Sequence, residues 1–154
     1  MHLIFWRHAE AEDAPAAASD LQRPLTRQGR HDASRMAAWI KAHVPKPWAV
    51  LASPAVRTRQ TALALVDDPQ DEPTLAPHQD VDAIMALIDA RQGRDSALVL
   101  CGHQPTLGRA ALRWLCGVEQ DFSLRKGALL WVVERSRDGR GRQLRGAIAP
   151  DLID

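Results

Sequence analysis

Short apolar runs alternate with longer amphipathic segments along most of the chain. Three of these runs, at about His2–Arg7, Trp48–Ala52 and Ala97–Cys101, are rich in branched or aromatic residues. Each is followed by a loop and then by a helical pattern, which is typical of parallel strands buried on both faces. The pattern therefore predicts an α/β fold.

Apolar residues spaced three and four positions apart predict a helix after each of these strands and a further helix before the third. The first begins after Thr26 as its N-cap and reaches about Val44, the third closes at Gly93, and the fourth reaches about Cys116. The predicted inward positions are Ala33, Met36, Ala37, Ile40 and Val44 in the first helix, Val56, Leu63 and Val66 in the second, Val81, Ile84, Met85 and Ile88 in the third, and Leu107, Ala111 and Trp114 in the fourth.

The remaining segments complete a single domain over residues 1–154. Ala128–Glu134 and Leu144–Ala149 predict an antiparallel hairpin with its turn at Asp138-Gly139, and a short edge strand is expected at Thr74–Ala76. An irregular acidic segment precedes Pro24, and its length favours a functional loop. The predicted fold is a three-layer α/β/α sandwich, with a mostly parallel sheet and a C-terminal antiparallel hairpin.

The charge balance excludes several classes of partner. With 20 Lys and Arg against 19 Asp and Glu, the formal net charge is +1, which leaves no electrostatic footprint for nucleic acid and no polybasic membrane patch. No apolar window approaches the ~20 residues that span a bilayer, and the apolar stretch at the amino terminus is much shorter. A cytoplasmic protein without nucleic-acid or membrane partners is expected.

Neither the cysteines nor the histidines predict a metal site. Cys101 and Cys116 do not form a CxxC pair and are interpreted as reduced core thiols in a reducing compartment. The six histidines show no HExxH motif and no spacing typical of metal ligands. We expect no metal or other cofactor.

Basic and imidazole side chains follow two of the predicted strands. Arg7-His8 ends the first, and Gly102-His103-Gln104-Pro105 follows the third. Because ligands of open α/β sheets bind at the carboxyl ends of the strands, these side chains are expected at one binding edge. Arg57 lies in the first turn of a predicted helix, where the helix dipole disfavours a cation, and this indicates an anionic ligand.

Four ordered segments resemble the motifs of the histidine phosphatase superfamily, and their spacing is most similar to its SixA-type phosphohistidine phosphatases. They are Leu3-Ile4-Phe5-Trp6-Arg7-His8-Ala9-Glu10, Arg23-Pro24-Leu25-Thr26-Arg27-Gln28-Gly29, Ser53-Pro54-Ala55-Val56-Arg57-Thr58-Arg59-Gln60-Thr61 and Gly102-His103-Gln104-Pro105. Any one of them alone is a weak signal, whereas the four occur in order, each at a predicted strand end or helix start, and the resemblance extends over most of the chain.

The resemblance implies a role for four residues. His8 is the expected nucleophile, a neutral imidazole that forms a phosphohistidine and is fixed by a backbone carbonyl of the Glu10–Ala18 loop. Arg7 and Arg57 are the expected phosphate clamps, since a planar guanidinium matches phosphate oxygens. His103 is expected to donate to a phosphoryl oxygen, and to be cationic or to become so when phosphate binds.

Other residues near these motifs leave alternatives open. Arg23 and Gln104 are candidates for substrate binding, although a surface arginine covering the loop is as good an interpretation of Arg23. Arg59 is expected to face solvent and Thr26 to cap a helix, whereas Glu10 either orients the basic cluster or is solvated.

The segment from Thr74 to Asp80 has no glutamate at the place where ester-cleaving members of the superfamily carry a general acid. An alkoxide leaving group needs such an acid, whereas the imidazole leaving from a phosphohistidine is much less basic. The sequence therefore favours phosphohistidine as substrate. Asp80 or Asp82 can still serve as the acid if the loop bends inward.

The leading hypothesis is a metal-independent phosphatase that transfers a phosphoryl group from a histidine of a partner protein, for example a phosphotransfer domain, to water. A phosphatase acting on small phosphate monoesters is the alternative within the same class. A non-catalytic module that binds phosphate on partner proteins is the alternative from a different class.

Overall fold

A computed structural model describes residues 1–14, 19–135 and 141–153. The strands and helices are, in chain order, β1 (His2–Arg7), α1 (Arg27–His43), β2 (Trp48–Ala52), α2 (Val56–Leu63), β3 (Gln70–Asp71), α3 (Val81–Arg91), β4 (Ala97–Gly102), α4 (Thr106–Cys116), β5 (Leu129–Glu134) and β6 (Arg142–Ile148). Short 3-10 helices cover Asp20–Gln22, Pro73–Leu75 and Pro150–Leu152.

The strands form one sheet in the order β3-β2-β4-β1-β5-β6. Strands β3, β2, β4 and β1 are parallel, β5 is antiparallel to β1, and β6 is antiparallel to β5. In the register of β1 with β4, Arg7 is opposite Gly102, so both strands end at the same edge of the sheet. The predicted fold class and C-terminal hairpin are confirmed, while Asp138-Gly139 lies outside the described residues.

Apolar side chains on both faces of the sheet make the three layers. Leu3, Phe5 and Leu100 face α3 and α4, where they meet residues such as Ile88 and Trp114. On the opposite face, the buried side chains pack against α1 and α2, and they include Ile4, Trp6, Val50, Val99 and Trp131 from the sheet and Met36 and Ile40 from α1. Burial on both faces explains why these strands are apolar without alternation.

Helix α1 begins as predicted and lies close to the loop that follows β1. The Thr26 side chain accepts a hydrogen bond from the Gly29 N–H at 2.8 Å, and the Thr26 N–H donates to the Glu10 carbonyl at 3.0 Å. A Cβ atom at Gly29 would collide with that same carbonyl oxygen. Glycine at this position therefore lets α1 hold the loop after β1.

The predicted inward face of α2 is wrong. Leu63 is exposed, and Val56 and Val66 are only partly buried, whereas Arg57, Thr58, Thr61 and Ala62 are buried. The helix thus turns a mostly polar face inward, toward the carboxyl ends of the strands.

Two smaller expectations are also corrected. The edge strand is Gln70–Asp71, paired with β2 through Leu51 and Ala52, and the segment expected as a strand forms the 3-10 helix Pro73–Leu75. Cys101 is a buried free thiol whose pKa is raised by burial, but Cys116, at the end of α4, is exposed and is not a core residue. None of the helices among the described residues is both long and apolar enough to cross a membrane.

Candidate active site

The structure brings Arg7, His8, Arg57 and His103 together at the carboxyl edge of the parallel strands. The His8 N–H donates to the Gly102 carbonyl at 3.1 Å, which joins the ends of β1 and β4. The rings of His8 and His103 have centroids 5.2 Å apart. Nη2 of Arg57, from the first turn of α2, lies 3.4 Å from Nδ1 of His103. Residues from three separate motifs thus form one cluster.

His8 is held as a neutral imidazole with one free nitrogen. Its Nδ1 lies 2.7 Å from the carbonyl oxygen of Ala9. Because a carbonyl can only accept, Nδ1 carries the proton and Nε2 keeps its lone pair. The expectation of a carbonyl between Glu10 and Ala18 is corrected, since the oxygen belongs to the residue directly after His8.

Burial lowers the pKa of His8 to about 4. The hydrogen bond to Ala9 opposes this shift, while the positive charges of Arg57 and Arg7 add to it. His8 is only 8% exposed. Its imidazole therefore carries no second proton and is uncharged in the neutral pH range, as a nucleophile requires.

The loop after His8 is anchored to two other parts of the fold. The His8 carbonyl accepts from the Gly127 N–H at 2.9 Å, and the Ala9 N–H donates to Oγ1 of Thr61 at 3.1 Å. The Thr61 hydroxyl in turn donates to the Arg57 carbonyl at 2.8 Å. Helix α2 and the His8 loop therefore keep a fixed relative position.

Both arginines are tied down through their Nη groups. Arg7 donates from Nη1 to the Leu124 carbonyl at 2.5 Å, and burial lowers its pKa. Arg57, which is 5% exposed, donates from Nη1 to the main-chain carbonyl of Asp20 at 2.8 Å and from Nη2 to Oδ2 of Asp20 at 3.0 Å. Within the described part of the chain, the buried Nε of each arginine has no hydrogen-bond partner. An unpaired buried donor is costly, and an anion can satisfy it.

His103 is also neutral. Because the Arg57 guanidinium can only donate, Nδ1 of His103 accepts, and Nε2 carries the proton that it shares with Oγ of Ser53 at 2.8 Å. Burial, His8 and Arg57 lower the pKa of His103 to about 3, against a smaller opposing effect of Asp20. The expectation of a cationic His103 therefore does not hold for the free protein.

Sequence reasoning missed Ser53, Thr61 and Asp20. Ser53 directly follows β2, so it carries the same positional signal as His8 and His103, and it is fully buried. Thr61 lies one helical turn after Arg57, and this spacing could have identified it as well. Asp20 lies in an irregular acidic segment, where nothing local distinguishes it from its neighbours.

The two candidates for substrate binding are engaged within the protein. Arg23 donates from Nε to the Glu12 carbonyl at 2.7 Å and from Nη1 to Oδ1 of Asp20 at 3.0 Å. Oε1 of Gln104 accepts from the Gly108 N–H at 3.0 Å, so this side chain caps the start of α4, while its buried Nε2 has no partner among the described residues.

Arg59, Thr26 and Glu10, which lie near the motifs in the sequence, all make contacts within the protein. Arg59 pairs with Asp71 at the surface and points away from the cluster. Thr26 is the predicted helix cap, and its hydroxyl also donates to Oε1 of Glu10 at 2.8 Å. Glu10 therefore binds to the start of α1.

The two carboxylates considered as general acids are engaged at the start of α3. Oδ1 of Asp80 accepts from the Asp82 N–H at 3.0 Å, as an N-cap does. The Asp82 carboxylate accepts from Nη1 of Arg113 on α4 at 2.5 Å. Among residues 1–14, 19–135 and 141–153, no group of three or more His, Cys, Asp or Glu side chains could hold a metal ion.

Comparison with known proteins points to one family. Residues 3–79 match the model of the histidine phosphatase superfamily (branch 1). Phosphohistidine phosphatase SixA of Escherichia coli is 35% identical over 116 residues, which cover 70% of this chain and 70% of that protein. An uncharacterized protein of Picosynechococcus sp. is 36% identical over 117 residues, covering 72% and 71%.

The fold is also similar to a solved structure. The protein histidine phosphatase SixA complexed with tungstate superimposes with a TM-score of 0.85 at 27% identity, and the match covers 99% of each chain.

Proposed function

The chain belongs to the histidine phosphatase superfamily, in its SixA branch, and we propose that residues 1–154 form one phosphohistidine phosphatase domain that acts on a partner protein. In this proposal His8 is the nucleophile, Arg7, Arg57 and His103 bind the phosphoryl group, and no metal takes part. The observation that carries the proposal is the cluster at the end of β1, where the His103 ring lies against His8 and contacts Arg57, and where the charges of Arg57 and Arg7 both act on His8.

The first step transfers the phosphoryl group to His8. The lone pair on Nε2 forms a bond to phosphorus as the bond between phosphorus and the substrate imidazole breaks. The bonding electrons leave with that imidazole, which departs neutral when its other nitrogen already carries a proton. Meanwhile the Nδ1–H of His8 keeps its bond to the Ala9 carbonyl, which holds the ring in line.

The second step returns His8 to its starting state. A water oxygen attacks phosphorus, the bond to Nε2 breaks, and the water proton passes to solvent as inorganic phosphate leaves. In both steps the guanidinium groups of Arg7 and Arg57 face the charge that spreads over the equatorial oxygens. Their unpartnered Nε–H groups support this role, because each needs an acceptor.

His103 has a separate part in this scheme. Its Nδ1 accepts weakly from Arg57 in the free protein, and its low pKa reflects burial beside positive charge. A bound phosphoryl dianion favours a proton on Nδ1, since opposite charges stabilise each other at short range. The ring then donates to a phosphoryl oxygen while Nε2–H stays on Ser53.

The carboxylates near the site support phosphohistidine as the substrate. Asp20 contacts Arg57 and Arg23, and hydrogen bonds from both lower its pKa, so it is ionised at neutral pH and cannot give a proton to an alkoxide. The carboxylates of Asp80 and Asp82 accept hydrogen bonds at the start of α3, from the Asp82 N–H and from Arg113. A leaving imidazole has little need of such a proton donor. The similar SixA proteins are named as histidine or phosphohistidine phosphatases, which agrees with this choice.

The test is a comparison of substrates with a nucleophile variant. Phosphate release is measured from a phosphotransfer domain carrying phosphohistidine and from a panel of sugar and serine phosphates. We expect fast release from the phosphohistidine protein, little from the esters, and none above the spontaneous rate with His8→Ala. Faster turnover of the esters would instead support the monoester phosphatase, and binding of the phosphoprotein without release would support the non-catalytic module.

A further inference from the structure

We propose that Asp20 is a positioning residue of this site, which acts by fixing the guanidinium of Arg57. The inference rests on the proposed role of Arg57 as a phosphate clamp. It adds to the cluster a residue from the irregular segment between His8 and α1, which carries none of the four clustered side chains.

Asp20 holds both ends of the Arg57 guanidinium. Its main-chain carbonyl accepts from Nη1 at 2.8 Å and its carboxylate from Nη2 at 3.0 Å. The buried Nε has no hydrogen-bond partner among the described residues. A guanidinium held at both Nη atoms cannot rotate, so the direction in which Nε–H points is set before an anion arrives.

Asp20 is itself held from the side opposite to Arg57. Oδ1 of Asp20 accepts from Nη1 of Arg23 at 3.0 Å, and Nε of Arg23 donates to the Glu12 carbonyl at 2.7 Å. The carboxylate is therefore held between two arginines, although the Asp20 side chain is 59% exposed to solvent. This arrangement also gives Arg23 a function through Asp20.

Electrostatic repulsion and positioning by Asp20 predict opposite changes in anion affinity when Asp20 is substituted. A carboxylate beside an oxyanion site repels the anion, so removing its charge alone strengthens anion binding. Losing the hydrogen bond from Nη2 has the opposite effect, because a guanidinium held by Asp20 only through Nη1 and the main-chain carbonyl must be ordered further when the anion binds. Asparagine removes the charge and keeps one oxygen that can accept from Nη2 of Arg57, while its amide nitrogen replaces the oxygen that accepts from Arg23; alanine removes the charge and both oxygens.

The experiment compares Asp20→Ala, Asp20→Asn and the matched control Asp71→Ala. Asp71 is an exposed aspartate paired with Arg59, two residues from Arg57 on the same helix, so its removal is the same chemical change outside the site. Tungstate affinity is measured by calorimetry, kcat and KM are measured with the phosphohistidine protein, and thermal unfolding shows that each variant is folded.

We expect Asp20→Ala to bind tungstate about tenfold more weakly and to lose kcat by a similar factor. Asp20→Asn should bind at least as tightly as the parent and keep its kcat, and Asp71→Ala should match the parent in both. Tighter tungstate binding by Asp20→Ala would show that the carboxylate only competes with the anion, and would overturn the proposal. It would also be overturned if Asp20→Ala behaved as Asp71→Ala, or if Asp20→Asn fell as far as Asp20→Ala.

Tungstate binding requires no phosphohistidine substrate. If the parent protein binds tungstate but does not hydrolyse phosphohistidine, the proposed function is refuted. The tungstate affinities of the Asp20 variants would still test whether Asp20 positions Arg57.

Discussion

The imidazole rings of His8 and His103 lie with their centroids 5.2 Å apart and their planes at 56°, and both are buried without a positive charge. Each pKa is lowered first of all by burial, and His103 is lowered further by His8 itself. The folded protein therefore takes up protons at these rings only under much more acidic conditions than the unfolded chain.

This difference predicts that the free energy of unfolding decreases as the pH is lowered from about 6 to 4.5. The unfolded histidines bind protons below their ordinary pKa of 6.5, whereas folded His8 does so only near about 4 and folded His103 near about 3. Between pH 6 and pH 4.5 the unfolded state binds more protons, so the free energy of unfolding should drop by about 1.4 kcal/mol per pH unit for each histidine. Urea unfolding at several pH values measures this slope.

His8→Asn should make that slope shallower, because one of the two buried rings that resist protonation is then absent. A free energy of unfolding that stays constant or rises as the pH is lowered through this window would contradict the burial of two neutral rings.

A second prediction concerns the shape of the cation at position 57. Arg57→Lys keeps the charge but loses the planar guanidinium that reaches Asp20 and His103 at the same time. We expect kcat/KM to fall by about 10²-fold, comparable to the loss of a transition-state donor elsewhere. Arg59→Lys, on the same helix but paired with Asp71 at the surface, serves as the control and should keep full activity. Equal activity of the two variants would count against the clamp.

A third prediction follows from the contact between Ser53 and His103. Ser53→Ala removes the acceptor of the Nε2–H and also leaves the Ala55 N–H without the Ser53 oxygen. Because this site is fully buried, the free energy of unfolding should fall by about 1–3 kcal/mol. Nitrogen chemical shifts of His103 should show loss of the single Nε2–H tautomer, whereas Ser96→Ala, at an exposed position, should change neither quantity. An unchanged tautomer in Ser53→Ala would show that the serine does not orient the ring.

A fourth prediction tests how α1 holds the loop after β1. Gly29→Ala places a methyl group against the carbonyl oxygen of Glu10, where there is no room. The loop must shift, and we expect a loss of about 1–3 kcal/mol of unfolding free energy together with reduced turnover. Ser34→Ala on the exposed face of the same helix is the control. Parent stability in Gly29→Ala would mean that the loop can move away freely.

Strands β1, β2, β4 and β5 and three of the helices could be predicted because hydrophobic burial determines them. Strand β4 is buried at every position, and the stripe from Ala33 to Val44 on α1 is buried as its spacing requires. The edge strand Gln70–Asp71 was misplaced because two exposed polar residues carry no periodic signal, and they pair with β2 through main-chain contacts alone.

The inward face of α2 was missed for a functional reason. Its buried residues include Arg57 and Thr61, which serve the site or its loop, and Thr58, whose hydroxyl donates to the Ala55 carbonyl, while Leu63 is left exposed. A helix whose buried face binds polar groups violates the rule by which inward positions are assigned. The four clustered residues could be predicted because each lies in a recognisable motif. Asp20 could not, since its contacts with Arg57 depend on how a loop folds across the strand ends.

The most direct test of the account is to trap the phosphoryl group on the protein. The chain is mixed for milliseconds with a phosphotransfer domain carrying ³²P-phosphohistidine, quenched in base, and the labelled residue is located by mass spectrometry. The account predicts label on His8 that is stable in base and lost in acid, with neither label nor phosphate release in His8→Ala. Phosphate release by His8→Ala at the parent rate, or label on another residue, would contradict it.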